Sequence, residues 1–96
     1  MNDTTRNILL KMGIRPNILG FHYLNEAITR VSKEYSLGNW SVKFTDLYSE
    51  IARKFHTTAS AAERAMRNAL TTREKPTEHI RLSEFISEVA DKLCYS

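Results

Sequence analysis

The sequence predicts a single all-α domain of about five to six helices that contains a helix-turn-helix. Apolar residues recur at the three- to four-residue spacing of amphipathic helices almost throughout, and no segment shows the strict alternation of a strand. Only three glycines and two prolines interrupt the 96 residues, so the segments between them are long. That length suits one hydrophobic core. We therefore interpret residues 1–96 as one domain.

The first two helices are bounded by clear stop signals. A short helix from about Thr5 to Met12 ends at Gly13, which can adopt the left-handed conformation of a C-terminal cap. Arg15-Pro16 then requires an extended link, because the residue before proline avoids helical geometry. The second helix runs from about Gly20 to Tyr35 and ends at Leu37-Gly38-Asn39. Its apolar stripe consists of Leu24, Ala27, Ile28, Val31 and Tyr35.

Residues 40–43 form either a helical turn or an irregular link. The third helix is predicted over Asp46 to Phe55, with Thr45 as N-cap and the Asp46 carboxylate favourably placed at the helix dipole. The final helix is predicted over about Ser83 to Cys94, with a stripe that includes Phe85, Ile86, Val89, Ala90 and Leu93. The aromatic residues expected in the core are Phe21, Tyr23, Trp40, Phe44 and Phe85.

A fourth helix, Ser60 to Leu70, begins with the pattern of a capping box, in which Ser60 is the N-cap and Glu63 is the third helical residue. Two short helices separated by about four residues predict a helix-turn-helix over about residues 46–70. A purely structural pair of helices would fit the same pattern. The side chains expected to face inward are Ile51, Ala52, Phe55, Ala62, Ala65, Met66 and Ala69.

The outward face of the 60–70 helix carries side chains that can read DNA bases in the major groove. Arginine can pair with guanine, asparagine with adenine, and glutamate with the amino group of cytosine. Glu63 has a second possible role, since in a capping box its carboxylate would bond the N-cap amide instead. The predicted base-reading residues are Ser60, Glu63, Arg64, Arg67 and Asn68.

Positive charge is concentrated around this helix. Residues 53–75 carry a net charge of +4, whereas the whole chain carries +3. Such a segment is typical of a surface that meets phosphates, although it could also be a solvated face without a partner. His56 is either a phosphate contact or simply a turn residue. The predicted phosphate contacts are Arg53, Lys54, His56, Thr57, Thr58, Arg73 and Lys75.

The sequence contains no pattern typical of a metal site, an enzyme active site or a membrane span. The histidines, His22, His56 and His79, are scattered without cysteines or carboxylates at metal-ligand spacing, so no metal is predicted. Cys94 has no neighbouring histidine or second cysteine, and no catalytic or phosphate-loop motif occurs. We therefore expect that the protein is not an enzyme and that it binds no cofactor or small-molecule substrate. No apolar run approaches the roughly 20 residues of a membrane span, and a reduced, cytoplasmic setting is expected.

Residues 51–69 resemble the C-terminal effector domain of the master sporulation response regulator, the stage zero sporulation protein A family. The sequence here is IARKFHTTASAAERAMRNA, and the family's pattern is close to IAKKFNTTASxVERAIRHA. Upstream, GFHYLNEAI at 20–28 is similar to the family's GYLYLREAI. Downstream, residues 83–86 and 89–93 are similar to its SEFIxxVADKL. The similarity covers most of residues 8–93.

This resemblance implies about six helices, a recognition helix in the major groove, and a short promoter box that tandem domains often occupy. It also implies that Ser60, Glu63, Arg64 and Arg67 face the DNA. The chain departs from the family at Ala61, where a base-contacting arginine is usual, at Asn68, where histidine is usual, and in its shorter 71–82 link. The sequence contains no receiver domain, so we expect phosphorylation control to lie outside this chain.

These observations predict a sequence-specific double-stranded DNA-binding protein, a transcriptional regulator of sporulation initiation whose helix 60–70 enters the major groove. The alternative is a protein-interaction module. In that interpretation the chain is a degenerate paralogue that modulates a full-length sporulation regulator without tight DNA binding of its own.

Overall fold

Five helices form the computed structural model, which describes residues 3–16, 18–72 and 80–94. They are α1 (Asp3–Lys11), α2 (Leu19–Ser36), α3 (Phe44–Lys54), α4 (Ala59–Leu70) and α5 (Leu82–Cys94). The described residues include no strand. The predicted all-α class is therefore confirmed.

Helix α2 is the centre of the fold, because it packs against each of the other four helices. Its long apolar stripe allows this: Phe21, Leu24 and Ile28 are completely buried. The predicted aromatic core residues Tyr23 and Phe85 are buried as well.

Glycine ends α1 as predicted. Gly13 has φ 84°, and the amide of Ile14 donates to the carbonyl of Leu9 at 3.1 Å, while the Gly13 amide donates to Leu10 at 3.0 Å. This pair of hydrogen bonds is the Schellman motif, which requires the left-handed backbone that glycine adopts easily.

Trp40 is not a core residue, so that prediction is wrong. Its side chain is 51% exposed and its ring stacks on Tyr35, with 4.6 Å between ring centroids. Residues 39–43 form an irregular link rather than a helical turn. Trp40 and Phe44 therefore do not share a helical face, and Trp40 covers the end of α2 from outside while Phe44 is half-buried.

Helix α3 begins earlier than predicted. Its N-cap is Lys43, which makes no side-chain capping bond, so the assignment of Thr45 as N-cap is wrong. Phe44 lies in the first turn and packs on Tyr48 one turn later, with 6.1 Å between ring centroids. Asp46 lies in the first turn as predicted. At the other end Phe55 packs against the core as expected, although it is only half-buried, with 4.9 Å between its ring centroid and that of Tyr23.

Helix α5 completes the core by packing mainly against α2. It begins at Leu82, one residue before the predicted start. The expected stripe is confirmed for Phe85, Ile86, Val89 and Ala90, which are buried, whereas Leu93 is half-buried.

Candidate nucleic-acid interface

Helix α4 is fixed on the core by one side only. Ala62, Met66 and Ala69 are completely buried, as predicted. The backbone of α2 approaches α4 closely at Gly20: a methyl group added there would overlap the carbonyl oxygen of Ala65 and lie 2.8 Å from the Ala69 Cβ. Small residues on both helices therefore allow this close crossing.

The N-cap of α4 is Thr58, not Ser60. The Thr58 hydroxyl oxygen accepts a hydrogen bond from the Ala61 amide at 3.1 Å, which is the usual bond from an N-cap to the third helical residue. Ser60 already lies inside the helix, so the predicted capping box between Ser60 and Glu63 is wrong. The preceding turn selects Thr58, because His56 adopts φ 57° and the Thr57 amide bonds the Ala52 carbonyl at 2.9 Å.

The solvent side of α4 brings most of the predicted base-reading residues together. Their spacing of three or four residues places them on one face of the helix, opposite the buried side. Glu63 is half-buried at the edge of this face. The exposed residues are Ser60, Ala61, Arg64, Arg67 and Asn68. We call these five residues the recognition face.

The two arginines of the recognition face have different surroundings. Arg67 donates from Nη2 to Oε1 of Glu63 at 2.7 Å, an ion pair between residues four apart. Within the part of the chain that the structure describes, no ion pair includes Arg64. The Arg64 guanidinium is therefore free to meet an external acceptor.

Tyr48 of α3 lies close enough to Glu63 and Arg67 for both charges to affect its pKa. Its side chain is buried, and this burial together with the negative charge of Glu63 raises the pKa of Tyr48 to about 12, although the positive charge of Arg67 acts in the opposite direction. The phenol thus stays neutral beside the pair. No sequence signal singles out this residue, since its role depends on the crossing of α3 and α4.

The predicted phosphate contacts that the structure describes lie around the turn between α3 and α4, and one of them, Lys54, is already paired. Arg53, His56 and Thr58 are exposed, and Thr57 is half-buried. The Lys54 ammonium, however, bonds Glu26 of α2 at 2.7 Å and lies 5.8 Å from the Phe55 ring centroid. Arg73 and Lys75 lie outside the described residues.

A cluster of ion pairs joins α2 to α3 beside this surface. Glu26 bonds both Lys54 and Arg30 at 2.7 Å, and Arg30 also bonds Glu50 at 3.1 Å. Burial alone would raise the pKa of Glu26, but the hydrogen bonds and charges of Lys54 and Arg30 outweigh it and hold that pKa below its usual value. The spacing of Glu26 and Arg30 is a visible i, i+4 signal, whereas the contact with Lys54 is long-range.

Two other kinds of feature are absent from the described residues. No group of three or more histidine, cysteine, aspartate or glutamate residues is arranged to hold a metal ion there. None of these helices is long and apolar enough to cross a membrane.

The fold and this surface define an all-helical domain that presents an arginine-bearing helix to solvent. A family model described as "Sporulation initiation factor Spo0A C terminal" matches residues 5–93. The chain belongs to this family, the DNA-binding effector domain of the sporulation regulator, which confirms the resemblance. It is a family of regulatory domains and not of enzymes.

Proposed function

We propose that this domain binds double-stranded DNA sequence-specifically and regulates transcription at sporulation promoters. In this proposal α3 and α4 form a helix-turn-helix, residues 1–96 act as one cytoplasmic DNA-binding domain, and α4 enters the major groove. The observation that carries it is the recognition face: its polar residues are exposed, while the packing of α4 uses only the opposite side.

Each member of the proposed site has a chemical role. Arg64 is exposed at the middle of the face and is suited to a guanine edge, which a guanidinium can pair with bidentately. Arg67 and Glu63 contact bases on one side of Arg64. Asn68 and Ser60 supply the remaining polar groups of the surface. Ala61 offers no hydrogen bond, so the base opposite it is read through a thymine methyl group or not at all.

Phosphate contacts position the helix and supply affinity that does not depend on sequence. We assign this role to Arg53, His56, Thr57 and Thr58 around the turn. Lys54 joins them only if it leaves Glu26. Arg73 and Lys75 remain candidates from the sequence, and tandem or dimeric binding remains a proposal from the family resemblance.

A salt titration of duplex binding tests the proposal. With about four to six phosphates neutralised, the slope of log affinity against log salt should be about −3 to −6. Arg64→Ala should cost about 1–3 kcal/mol of discrimination at one base position, whereas Arg53→Ala should weaken all sequences alike. Lys33→Ala, which removes an exposed charge from α2 away from α4, is the matched control. Absence of binding at about 50 mM salt would contradict the proposal.

One observation favours the second candidate, a protein-interaction module that modulates a full-length sporulation regulator. Two cations of the basic segment are already neutralised within the chain, Lys54 by Glu26 and Arg67 by Glu63. Ala61 also stands where the family usually has an arginine, so less positive charge is left on this surface to bind DNA. Co-purification with the full-length regulator, unaffected by Arg64→Ala, is the result expected of this candidate.

A further inference from the structure

The ion pair between Glu63 and Arg67 occupies one of the two arginines on the recognition face before any DNA is bound. The side chains of Arg67 and Glu63 are 65% and 33% exposed, so the pair lies at the surface and can open. Isolated pairs of this kind in helices shift an equilibrium by only about twofold. Glu63 therefore holds Arg67 weakly enough to release it to a better acceptor.

Release of Arg67 leaves a carboxylate without its cation beside the DNA. Phosphate groups repel that carboxylate, and among base edges only an amino group, on cytosine or adenine, can donate to it in the major groove. A site that satisfies Arg67 but offers Glu63 nothing therefore binds less well than a site that satisfies both. Arg64 has no such partner in the described part of the chain, so its engagement carries no matching cost.

We propose that Glu63 is a specificity-determining residue that acts through Arg67, making the arginine available mainly to sites that also supply an amino donor to the carboxylate. This inference rests on the proposed DNA binding and deepens it. Glu63 and Arg67 form one coupled reader of neighbouring bases, and Glu63 suppresses binding to other DNA. Both charges act on the pKa of Tyr48 in α3, which supports their location beside the α3–α4 contact.

The test compares wild type, Glu63→Gln, Arg67→Ala and the double variant. Each protein is titrated at one salt concentration against a duplex obtained by binding selection and a duplex of random sequence. Glu50→Gln is the matched control: it removes the same charge from a carboxylate that is also paired with an arginine, but Glu50 faces Arg30 of α2. Circular dichroism verifies that the variants keep their helical content.

Glu63→Gln should tighten binding to the random duplex by about twofold, the shift that an exposed i, i+4 ion pair allows. The selected duplex should gain less or lose affinity, so the specificity ratio falls, whereas Glu50→Gln leaves that ratio unchanged. The effects of Glu63→Gln and Arg67→Ala on the ratio should be non-additive. An unchanged ratio in Glu63→Gln, or strict additivity, would overturn the coupling and leave the proposed function standing. Failure of the wild type to bind any duplex would instead overturn both.

Discussion

At the scale of single residues, Gly20 has the most demanding environment. The carbonyl oxygen of Ala65 occupies the space that a Cβ at this position would need. Because the obstacle is backbone, α2 and α4 would have to separate to admit a methyl group. Gly20→Ala should therefore destabilise the domain by about 1–3 kcal/mol, as overpacked substitutions do.

Chemical unfolding in urea measures the Gly20→Ala effect, and Leu19→Ala is its control. Leu19 is the adjacent residue in the same helix but is 67% exposed, so its truncation should change stability by less than about 0.5 kcal/mol. Equal stability of wild type and Gly20→Ala would contradict the close crossing of the two helices.

Individual side chains also show which environments the sequence can predict and which it cannot. The exposure of Arg64, Arg67 and Asn68 was predictable, because helical periodicity separates them from Met66 and Ala69. The pairing of Lys54 with Glu26 was not, since the two residues are far apart in the chain and meet only through the packing of α3 on α2. Trp40 illustrates the same limit: its aromatic character favours burial, but the irregular link places it at the surface.

At the scale of the helix, the start of α4 provides a test of which hydroxyl is the cap. Thr58→Ala removes the acceptor for the Ala61 amide and should cost about 1 kcal/mol. Ser60→Ala should be nearly neutral, because Ser60 lies within the first turn and alanine is a strong helix former. Thermal unfolding of the two variants side by side decides between them, and a larger cost for Ser60→Ala would restore the capping box.

The sequence could not resolve this helix end because it offers alternative caps. Residues 57, 58 and 60 all carry hydroxyl groups, and Ser60 is followed at the right spacing by Glu63, which completes a familiar pattern. The deciding feature is the left-handed backbone conformation of His56. It follows the end of α3 and places Thr58 at the N-cap of α4. Glycine is usual in such a conformation, so histidine gave no warning of it.

For the whole molecule, the dependence of stability on pH should have two separate origins. On the acid side, the pKa of Glu26 in the folded state lies below the 4.5 of an unperturbed carboxyl. Its ionised form therefore stabilises the fold at neutral pH, and this contribution is lost as the pH falls through the folded pKa. Glu26→Gln should reduce stability at neutral pH by about 1 kcal/mol or less.

Urea unfolding at several pH values measures this contribution. The difference in unfolding free energy between wild type and Glu26→Gln should shrink as the solution becomes acidic. Glu84→Gln is the control, since Glu84 is 58% exposed and lies 4.0 Å from Arg81. A constant difference across the acid range would show that Glu26 does not titrate with a lowered pKa.

On the alkaline side, Tyr48 should govern a second loss of stability. Its pKa is about 12 in the folded protein, against 10.0 for an unperturbed phenol. The folded state therefore retains a proton that the unfolded state releases, so stability is complete below pH 10 and declines as the pH rises towards 12. In ultraviolet titrations, subtracting the Tyr48→Phe curve from that of wild type should leave one phenolate transition near pH 12. A transition near pH 10 would contradict the raised pKa of Tyr48 in the folded protein.

The division of α4 into a buried and an exposed side has a consequence for how new variants of this domain can arise. Folding draws on Ala62, Met66 and Ala69, whereas positions 60, 61, 64, 67 and 68 contribute almost no packing. Most mutations at those five positions should consequently be close to neutral for stability, so many different sequences at these positions are compatible with the folded protein. Under the proposed function, selection on α4 alone can then change the preference for one promoter over another, while the remaining helices stay unchanged.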